Sequence, residues 1–208
     1  MVDLRTFTYI DILQPQTASF IATVASGFLP QEEQSALIVE IAPGMDINRV
    51  TDIALKRTST RPGMMIVERS FGFLELHSFD QGDLRAAGDV ILGELGLTEQ
   101  DRLRPVIRTQ QILTGVDAHQ TMLVNRMRHG NFLLKGESFL ILEVHPAGYA
   151  MIAANEAEKA SPINILEIRA FGAYGRVYLG GGEAEIVAAG EAVAAALSSI
   201  EGRDNQGK

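Results

Sequence analysis

The chain has neither cysteine nor tryptophan among its 208 residues. The lack of cysteine excludes disulfide bonds, thiolate catalysis and Cys-ligated zinc or iron–sulfur sites. Basic side chains are outnumbered, with 18 Lys and Arg against 26 Asp and Glu, and the formal net charge is −8. Because nucleic-acid recognition needs a basic face, this balance argues against a nucleic-acid partner.

Long apolar segments are also missing. No run approaches the roughly 18–20 residues of a membrane-spanning helix, so we expect no membrane association. The first residues, Met1–Arg5, lack the basic start and the apolar stretch of a signal peptide. These features favour a cytoplasmic protein.

Motifs for metal, phosphate or covalent chemistry are absent from the sequence. The four histidines show no i, i+4 spacing and no accompanying carboxylate pattern, so we expect no metal site. The letters Gly-x-x-x-x-Gly-Lys occur once, at Gly202–Lys208, but they follow a helical segment and not the strand that a phosphate-binding loop requires. The Gly-x-Ser-x-Gly and His-Glu-x-x-His patterns do not occur. The sequence therefore predicts a protein that is not an enzyme and that has no cofactor.

What the chain does contain is a duplication. Arg-x-Phe-Gly occurs at Arg69–Gly72 and again at Arg169–Gly172, each time between two strand-like runs and before an Ala/Gly-rich helical segment. Ser138–Glu143 matches Ser35–Glu40 at an offset of 103 residues. Three further matches share that offset: Pro43 with Pro146, Ala54 with Ala157 and Lys56 with Lys159. A three-residue change in loop length then places Arg169–Gly172 on Arg69–Gly72.

Each repeat has the hydrophobic periodicity of strand, helix, strand, helix, strand, strand and helix. This order predicts an α+β fold of two tandem ferredoxin-like domains, each with one sheet covered by helices. We place the first domain at residues 6–104 and the second at residues 105–200. Residues 201–208 are polar and contain glycine, and we expect them to form a flexible tail.

The segment Ser138–Ile200 resembles the shell-protein domain of bacterial microcompartments. An apolar strand ends in Glu143, a helix carries Asn155–Ala160, two strands flank a Gly-containing loop, and Glu183–Leu197 is an Ala-rich helix. Two such domains, each preceded by its extra strand and helix, resemble the circularly permuted tandem branch of that family. The resemblance covers Thr6 to about Ile200.

This resemblance implies a structural protein. The family's tandem members are homotrimers that mimic a hexagonal tile and pack edge to edge with other shell proteins around encapsulated enzymes. Some members stack two trimers face to face. A central pore passes small metabolites, and in some members a Glu-Arg pair opens and closes it.

Carried over residue by residue, the resemblance implies two pore loops, one at Arg69, Ser70, Phe71 and Gly72 and one at Arg169, Ala170, Phe171 and Gly172. Glu68 with Arg69 matches the gating pair in the first copy. The second copy has Ile168 where a glutamate would stand, so the implied gate is asymmetric. The family's lattice-edge lysine falls on Lys56 and Lys159.

Simpler explanations fit the same residues. Glu68 and Arg69 also suit a surface ion pair worth about 0–1 kcal/mol. Lysines near the ends of helices are favoured by the helix dipole alone. The alternative function is a duplicated ferredoxin-like small-molecule sensor, whose ligand would bind in a cleft between the domains and which would form no lattice.

Overall fold

The computed structural model describes residues 2–206. Within that range each half of the chain contributes four strands and three helices in the order βαβαββα, which confirms the predicted α+β class and tandem duplication. The first half contains β1 (Asp3–Ile10), α1 (Pro15–Val24), β2 (Ser35–Ala42), α2 (Ile47–Arg57), β3 (Arg61–Glu68), β4 (Phe71–Ser78) and α3 (Gln81–Leu95). The second contains β5 (Val106–Leu113), α4 (Ala118–Met127), β6 (Ser138–His145), α5 (Ala150–Ala160), β7 (Asn164–Arg169), β8 (Gly175–Gly181) and α6 (Glu183–Ser198).

Each half forms an antiparallel four-stranded sheet, in the orders β1-β2-β4-β3 and β5-β6-β8-β7. Side chains of a strand alternate between the two faces of its sheet. Leu37 and Val39 of β2 therefore pack with α2 and α3, while Ala36 and Ile38 pack on the side of α1. Both faces of the first sheet are buried, which explains why β2 is apolar along almost its whole length.

Local capping fixes several helix ends. The Asp80 carboxylate accepts hydrogen bonds from the backbone N–H groups of Gly82 and Asp83 and so begins α3. Gly96, with φ 66°, ends the same helix in the left-handed conformation that favours glycine. Asp117 begins α4 by accepting from the N–H of His119. Among the described residues, no helix has the length and apolar content needed to traverse a bilayer.

The N-terminus of α1 is capped by the other half of the chain. Glu158 of α5 accepts hydrogen bonds from the backbone N–H groups of Gln16 and Thr17, at 2.7 and 2.8 Å. Asn155, also on α5, accepts from the N–H of Gln14 at 2.9 Å and donates to the carbonyl of Ile12. One apolar cluster joins the α1 side of the first sheet to the α5 and α6 side of the second. The two halves thus share a packed junction.

Residues 201–206, part of the expected flexible tail, make hydrogen bonds with both halves. Arg203 exchanges backbone hydrogen bonds with Arg102 and Arg104 in the segment between the two halves, and its guanidinium donates to Asp3. Asn205 donates to the carbonyl oxygens of Arg104 and His145. These contacts join the segment 201–206 to both halves. Residues 207–208 of the expected tail lie outside the described residues.

Candidate functional site

The β3–β4 hairpin has a two-residue tip, Arg69 and Ser70, between the paired residues Glu68 and Phe71. Arg69 has φ 55°, in the left-handed region that residues other than glycine seldom occupy. Both tip residues are exposed. Within residues 2–206, neither Glu68 nor Arg69 makes an ion pair. Their charges are therefore available to groups outside this chain.

The expected equivalence between Arg69 and Arg169 is wrong. β4 pairs with β2 through Gly72, and β8 pairs with β6 through Gly175, so the 103-residue offset continues through both hairpins without a change in loop length. The counterpart of Arg69 is Gly172, which also has positive φ, at 100°. By the same register, Phe171 corresponds to Glu68 and Ala173 corresponds to Ser70, and the second hairpin carries no charge at these positions.

Arg169 instead lies on β7, opposite Arg176 of β8, where the β7–β8 pairing stops. In the first half the pairing runs two residue pairs further, to Glu68 and Phe71. Ala170 is buried at the start of the wider second loop, while Phe171 and Gly172 are partly buried. The repeated Arg-x-Phe-Gly is therefore a sequence coincidence.

Packing explains why the true counterparts, Gly72 and Gly175, are both glycine. A Cβ atom on Gly72 would lie 2.3 Å from the carbonyl oxygen of Gly44, and one on Gly175 would lie 2.3 Å from the carbonyl oxygen of Ala147. Gly44 and Ala147 begin the short turns that precede α2 and α5. Each hairpin thus packs against the turn that precedes a helix of its own half, α2 in the first and α5 in the second.

A chain of contacts joins the two hairpins within the molecule. The guanidinium of Arg5 on β1 lies over the ring of Phe71, 3.7 Å from its centroid. The same guanidinium donates to Nε2 of His145 at 3.0 Å, and the His145 ring lies 5.8 Å from the ring of Tyr174 in the second hairpin. Tyr174 and Phe71 are counterparts at the 103-residue offset. The fold thus places equivalent parts of the two hairpins side by side.

Below these rings, Glu40 forms a buried ion pair with Arg5. Its Oε1 atom accepts from Nε of Arg5 at 2.7 Å, and its Oε2 atom accepts from the backbone N–H of Gly148 at 2.7 Å and from the hydroxyl of Thr6. Burial raises the pKa of Glu40, and its bonds to Arg5, Gly148 and Thr6 oppose that increase. Because Gly148 belongs to the second half, this ion pair also ties the halves together.

The hydrogen bonds of His145 define its tautomer. Arginine only donates, so Nε2 of His145 is the acceptor from Arg5 and Nδ1 carries the proton that is donated to Oδ1 of Asn205. Burial, followed by the positive charges of Arg5 and Arg108, lowers the pKa of His145, while the Asn205 hydrogen bond acts in the opposite direction. The arrangement therefore holds His145 in its neutral form.

Both lysines expected at a lattice edge lie in the last turns of equivalent helices. Lys56 on α2 is 2.7 Å from Asp52, and Lys159 on α5 is 3.6 Å from Glu156. The two side chains remain 71% and 64% exposed, so they are free to reach a neighbouring molecule. Among residues 2–206, no group of three or more His, Asp or Glu side chains is arranged to hold a metal ion.

The contacts beneath the hairpins were missed by the sequence interpretation. Arg5 and Glu40 are 35 residues apart, and Arg5 and His145 are 140 residues apart. One signal was available: Glu40 is a charged residue inside the apolar run of β2, and a carboxylate buried there requires a cationic partner. The sequence alone does not identify that partner.

Comparison with known proteins assigns the family. Residues 4–101 match the model of the CsoS1D N-terminal domain. The chain is 50% identical over 206 residues to the carboxysome shell protein CcmP of Synechococcus elongatus, covering 99% of this chain and 97% of the relative. Two solved structures are also similar, both from the RMM microcompartment. The fused permuted hexameric shell protein MSM0275 has a TM-score of 0.94 at 44% identity, covering 97% and 99% of the two chains.

The second solved structure, the double ringed trimeric shell protein MSM0271, has a TM-score of 0.95 at 37% identity, covering 99% and 100% of the two chains. Both similarities extend over the two halves and therefore include the hairpins and the junction described above. The chain belongs to the tandem-domain shell proteins of bacterial microcompartments, the family of CcmP and CsoS1D.

Proposed function

We propose that three copies of this shell protein form a ring whose central pore is lined by the β3–β4 and β7–β8 hairpins and gated by Glu68 and Arg69. The observation that carries the proposal is that Glu68 and Arg69, which make no ion pair within residues 2–206, lie at the end of the first hairpin, whose Phe71 is joined to Tyr174 of the second hairpin through Arg5 and His145. If the rotation that relates the first half to the second is repeated around an axis through three copies, the two hairpins of each copy meet the others at the centre, six in all.

The surfaces that such a ring needs are present and unoccupied in one chain. In the first half, Phe20 on α1 is 3% exposed and belongs to the apolar core shared by both halves. Its counterpart Leu123 on α4 is 58% exposed. In the first half, Met45, which precedes α2, and Leu55 of α2 are also exposed. We infer that α4 of one copy meets the α2–β3 side of the next, as α1 meets the α5–β7 side within the chain.

The differences between the two junctions follow from the same correspondence. Glu158, which caps α1 from the second half, corresponds to Leu55, which offers no carboxylate to a neighbouring copy. Helix α4 accordingly begins with its own acidic cap, Asp117, where α1 has Gln14 without a side-chain cap. The free backbone N–H groups at the start of α1 are therefore capped by Glu158 of the second half, and the start of α4, whose proposed neighbour has leucine at that position, is capped by Asp117 of its own chain.

In the proposed pore, Glu68 of one copy pairs with Arg69 of another to close the opening, and both side chains turn to water when it opens. The exchange of exposed charge pairs for water changes the free energy by no more than a few kcal/mol, so a passing solute or a change at either face is able to bias it. Arg69 also attracts anionic metabolites that move to and from the enclosed enzymes. The protein itself catalyses no reaction in this proposal.

The gate is tested by the Glu68→Ala and Arg69→Ala double variant. We expect it to assemble as the wild type does, with one pore conformation in averaged electron-microscopy images viewed down the ring axis. Arg169→Ala is the matched control, because Arg169 lies back from the hairpin tip on β7. An unchanged distribution of pore conformations in the double variant would exclude the pair from gating.

Edge-to-edge packing is proposed to use Lys56 and Lys159. Replacing both by alanine should leave rings intact but reduce the sheets or tubes that concentrated protein forms. Lys135→Ala is the control, since Lys135 is an exposed lysine in the loop between α4 and β6. Sheets from the double variant at wild-type protein concentration would remove these lysines from the lattice contact.

Face-to-face stacking of two rings is supported by the loops that follow α1 and α4. Each carries exposed apolar side chains, namely Phe28 and Leu29 in the first and Phe132 and Leu134 in the second. One similar structure is described as a double ringed trimer. Leu29→Ser with Phe132→Ser should shift the mass measured by light scattering from six chains to three, whereas a six-chain mass in the variant would place the contact elsewhere.

A further inference from the structure

A cavity of about 410 Å³ lies between α4 and the sheet of the second half. Leu123, Val124 and Met127 of α4 form one wall. Phe139 and Ile141 of β6 form apolar parts of the opposite wall. Its polar surface is provided by Arg169, Arg176, Tyr178, Glu167, His129 and Gln120.

In the first half, apolar side chains occupy the equivalent space. At the 103-residue offset, Leu123 corresponds to Phe20 and Arg176 corresponds to Phe73, and both phenylalanines are buried. Arg169 corresponds to Ile66, which packs against the same core. Two arginines therefore stand where the duplicated fold otherwise places a phenylalanine and an isoleucine, and they leave room beneath α4.

The two arginines are poorly neutralised within the described chain. Arg169 and Arg176 are direct cross-strand partners, an arrangement of like charges that destabilises a sheet. Arg176 lies 3.5 Å from Glu143, while Arg169 has its nearest ring contact with Phe171, 5.2 Å from the centroid. Among residues 2–206, no carboxylate lies within ion-pair distance of Arg169.

The carboxylate of Glu167 in the cavity wall is already engaged. It accepts from the backbone N–H of His129 at 2.9 Å and lies 2.9 Å from Nδ1 of the same residue. Arg176 already has Glu143 as a neighbour, so Arg169 is the cation of the lining that has no carboxylate within ion-pair distance among residues 2–206. A single negative charge on a ligand matches Arg169, and a hydrocarbon body matches the apolar walls.

We propose that this cavity binds an amphipathic monoanion, a carboxylate with a short hydrocarbon chain, whose carboxylate lies between Arg169 and Arg176 and whose chain lies under α4. Arginine pairs carboxylates through two parallel hydrogen bonds, and two facing arginines provide this on both sides. The site is separate from the Glu68–Arg69 tip, so it does not depend on the proposed gate.

The first half supplies the design of the test. Arg169→Ile with Arg176→Phe copies Ile66 and Phe73 into the second half and should fill the cavity without loss of folding. Octanoate is the probe, and octylammonium, with a chain of the same length and the opposite charge, is the matched ligand control. Binding to the assembled wild-type protein is measured by saturation-transfer NMR and titration.

We expect octanoate to bind the wild type, octylammonium to bind at least about tenfold more weakly, and the double variant to lose octanoate binding by a similar factor. Arg69→Gln, which changes a cation outside the cavity, should bind octanoate as the wild type does. Equal binding of octanoate and octylammonium, full retention of binding by the double variant, or no octanoate binding to the wild type would each overturn the proposal.

Discussion

Arg69 and Gly172 occupy the same position in the two hairpins, 103 residues apart, and both have positive φ, at 55° and 100°. The second half meets this backbone requirement with glycine at no steric cost. The first half keeps a long cation there, with the steric cost of the left-handed conformation. A strained charged residue at an exposed tip is typical of a functional position.

This relationship gives a first prediction for Arg69. Arg69→Gly and Arg69→Ala both remove the guanidinium, but only glycine also relieves the left-handed backbone. We expect Arg69→Gly to be more stable than Arg69→Ala by about 1 kcal/mol, measured by urea unfolding under identical conditions. Equal stability of the two variants would show that the hairpin relaxes to another turn and that Arg69 is not strained.

Gly72 and Gly175 give a second prediction. Alanine at either position places a Cβ atom against a backbone carbonyl, so each variant should lose about 1–3 kcal/mol of stability. Gly93→Ala is the control, because its Cβ meets open space within α3 and the helix gains about 0.5–1 kcal/mol. Thermal unfolding should therefore rank Gly93→Ala above the wild type and both hairpin variants below it. A neutral Gly175→Ala would contradict the packing of that hairpin.

Ring formation depends on surfaces such as Leu123. An aspartate there places a charge where the internal counterpart, Phe20, is buried, so Leu123→Asp should convert the assembled protein to single chains. Val187→Asp is the control, because Val187 is an exposed residue of α6, which packs on the face of the second sheet opposite to α4. This variant should leave the mass of the assembly unchanged. Light scattering coupled to gel filtration measures both. Rings of wild-type mass from Leu123→Asp would exclude α4 from the contact between copies.

The junction gives a prediction for pH. The folded state lowers the pKa of His145, so the unfolded chain binds more protons near its ordinary pKa of about 6.5. The contribution of His145 to stability is therefore complete above that value and is lost as the pH falls towards the lower folded-state pKa. His145→Gln should lose less stability than the wild type between pH 7.5 and pH 5.5.

His119 provides the comparison, because its side chain is 89% exposed on α4. The His119→Gln variant should follow the wild-type pH dependence in the same unfolding measurements. If His145→Gln loses as much stability on acidification as the wild type, the neutral His145 held by Arg5 and Asn205 does not contribute to this pH dependence.

The order of elements could be predicted from the sequence because each half carries strong local patterns. The apolar run Ser35–Ile41 and the helical spacing of Ile47, Val50 and Ala54 are local signals, and the structure has β2 and α2 at these positions. The strand periodicity on either side of Arg69 and Ser70 indicates the hairpin, in which Glu68 is the last residue of β3. The exact ends of the strands are not local signals, since pairing with neighbouring strands determines where a strand ends.

The equivalence of the loops could not be predicted in the same way. Three identical residues, Arg, Phe and Gly, led the sequence alignment to place Arg169 on Arg69, although the rest of the repeat keeps an offset of 103 residues. The packing of Gly175 against Ala147, which would have corrected this alignment, is evident only in the folded structure. The contacts of Arg203 and Asn205 join segments about 60 to 200 residues apart. A polar composition at the end of a chain does not reveal such partners.

A structure of the assembled protein, viewed down its symmetry axis, tests the central proposal most directly. We expect three chains in a ring, with the tips at Arg69 and Gly172 alternating around the pore and Glu68 of one copy within reach of Arg69 of another. A ring with these hairpins at its rim, or an assembly without a threefold axis, would contradict the proposed pore and its gate.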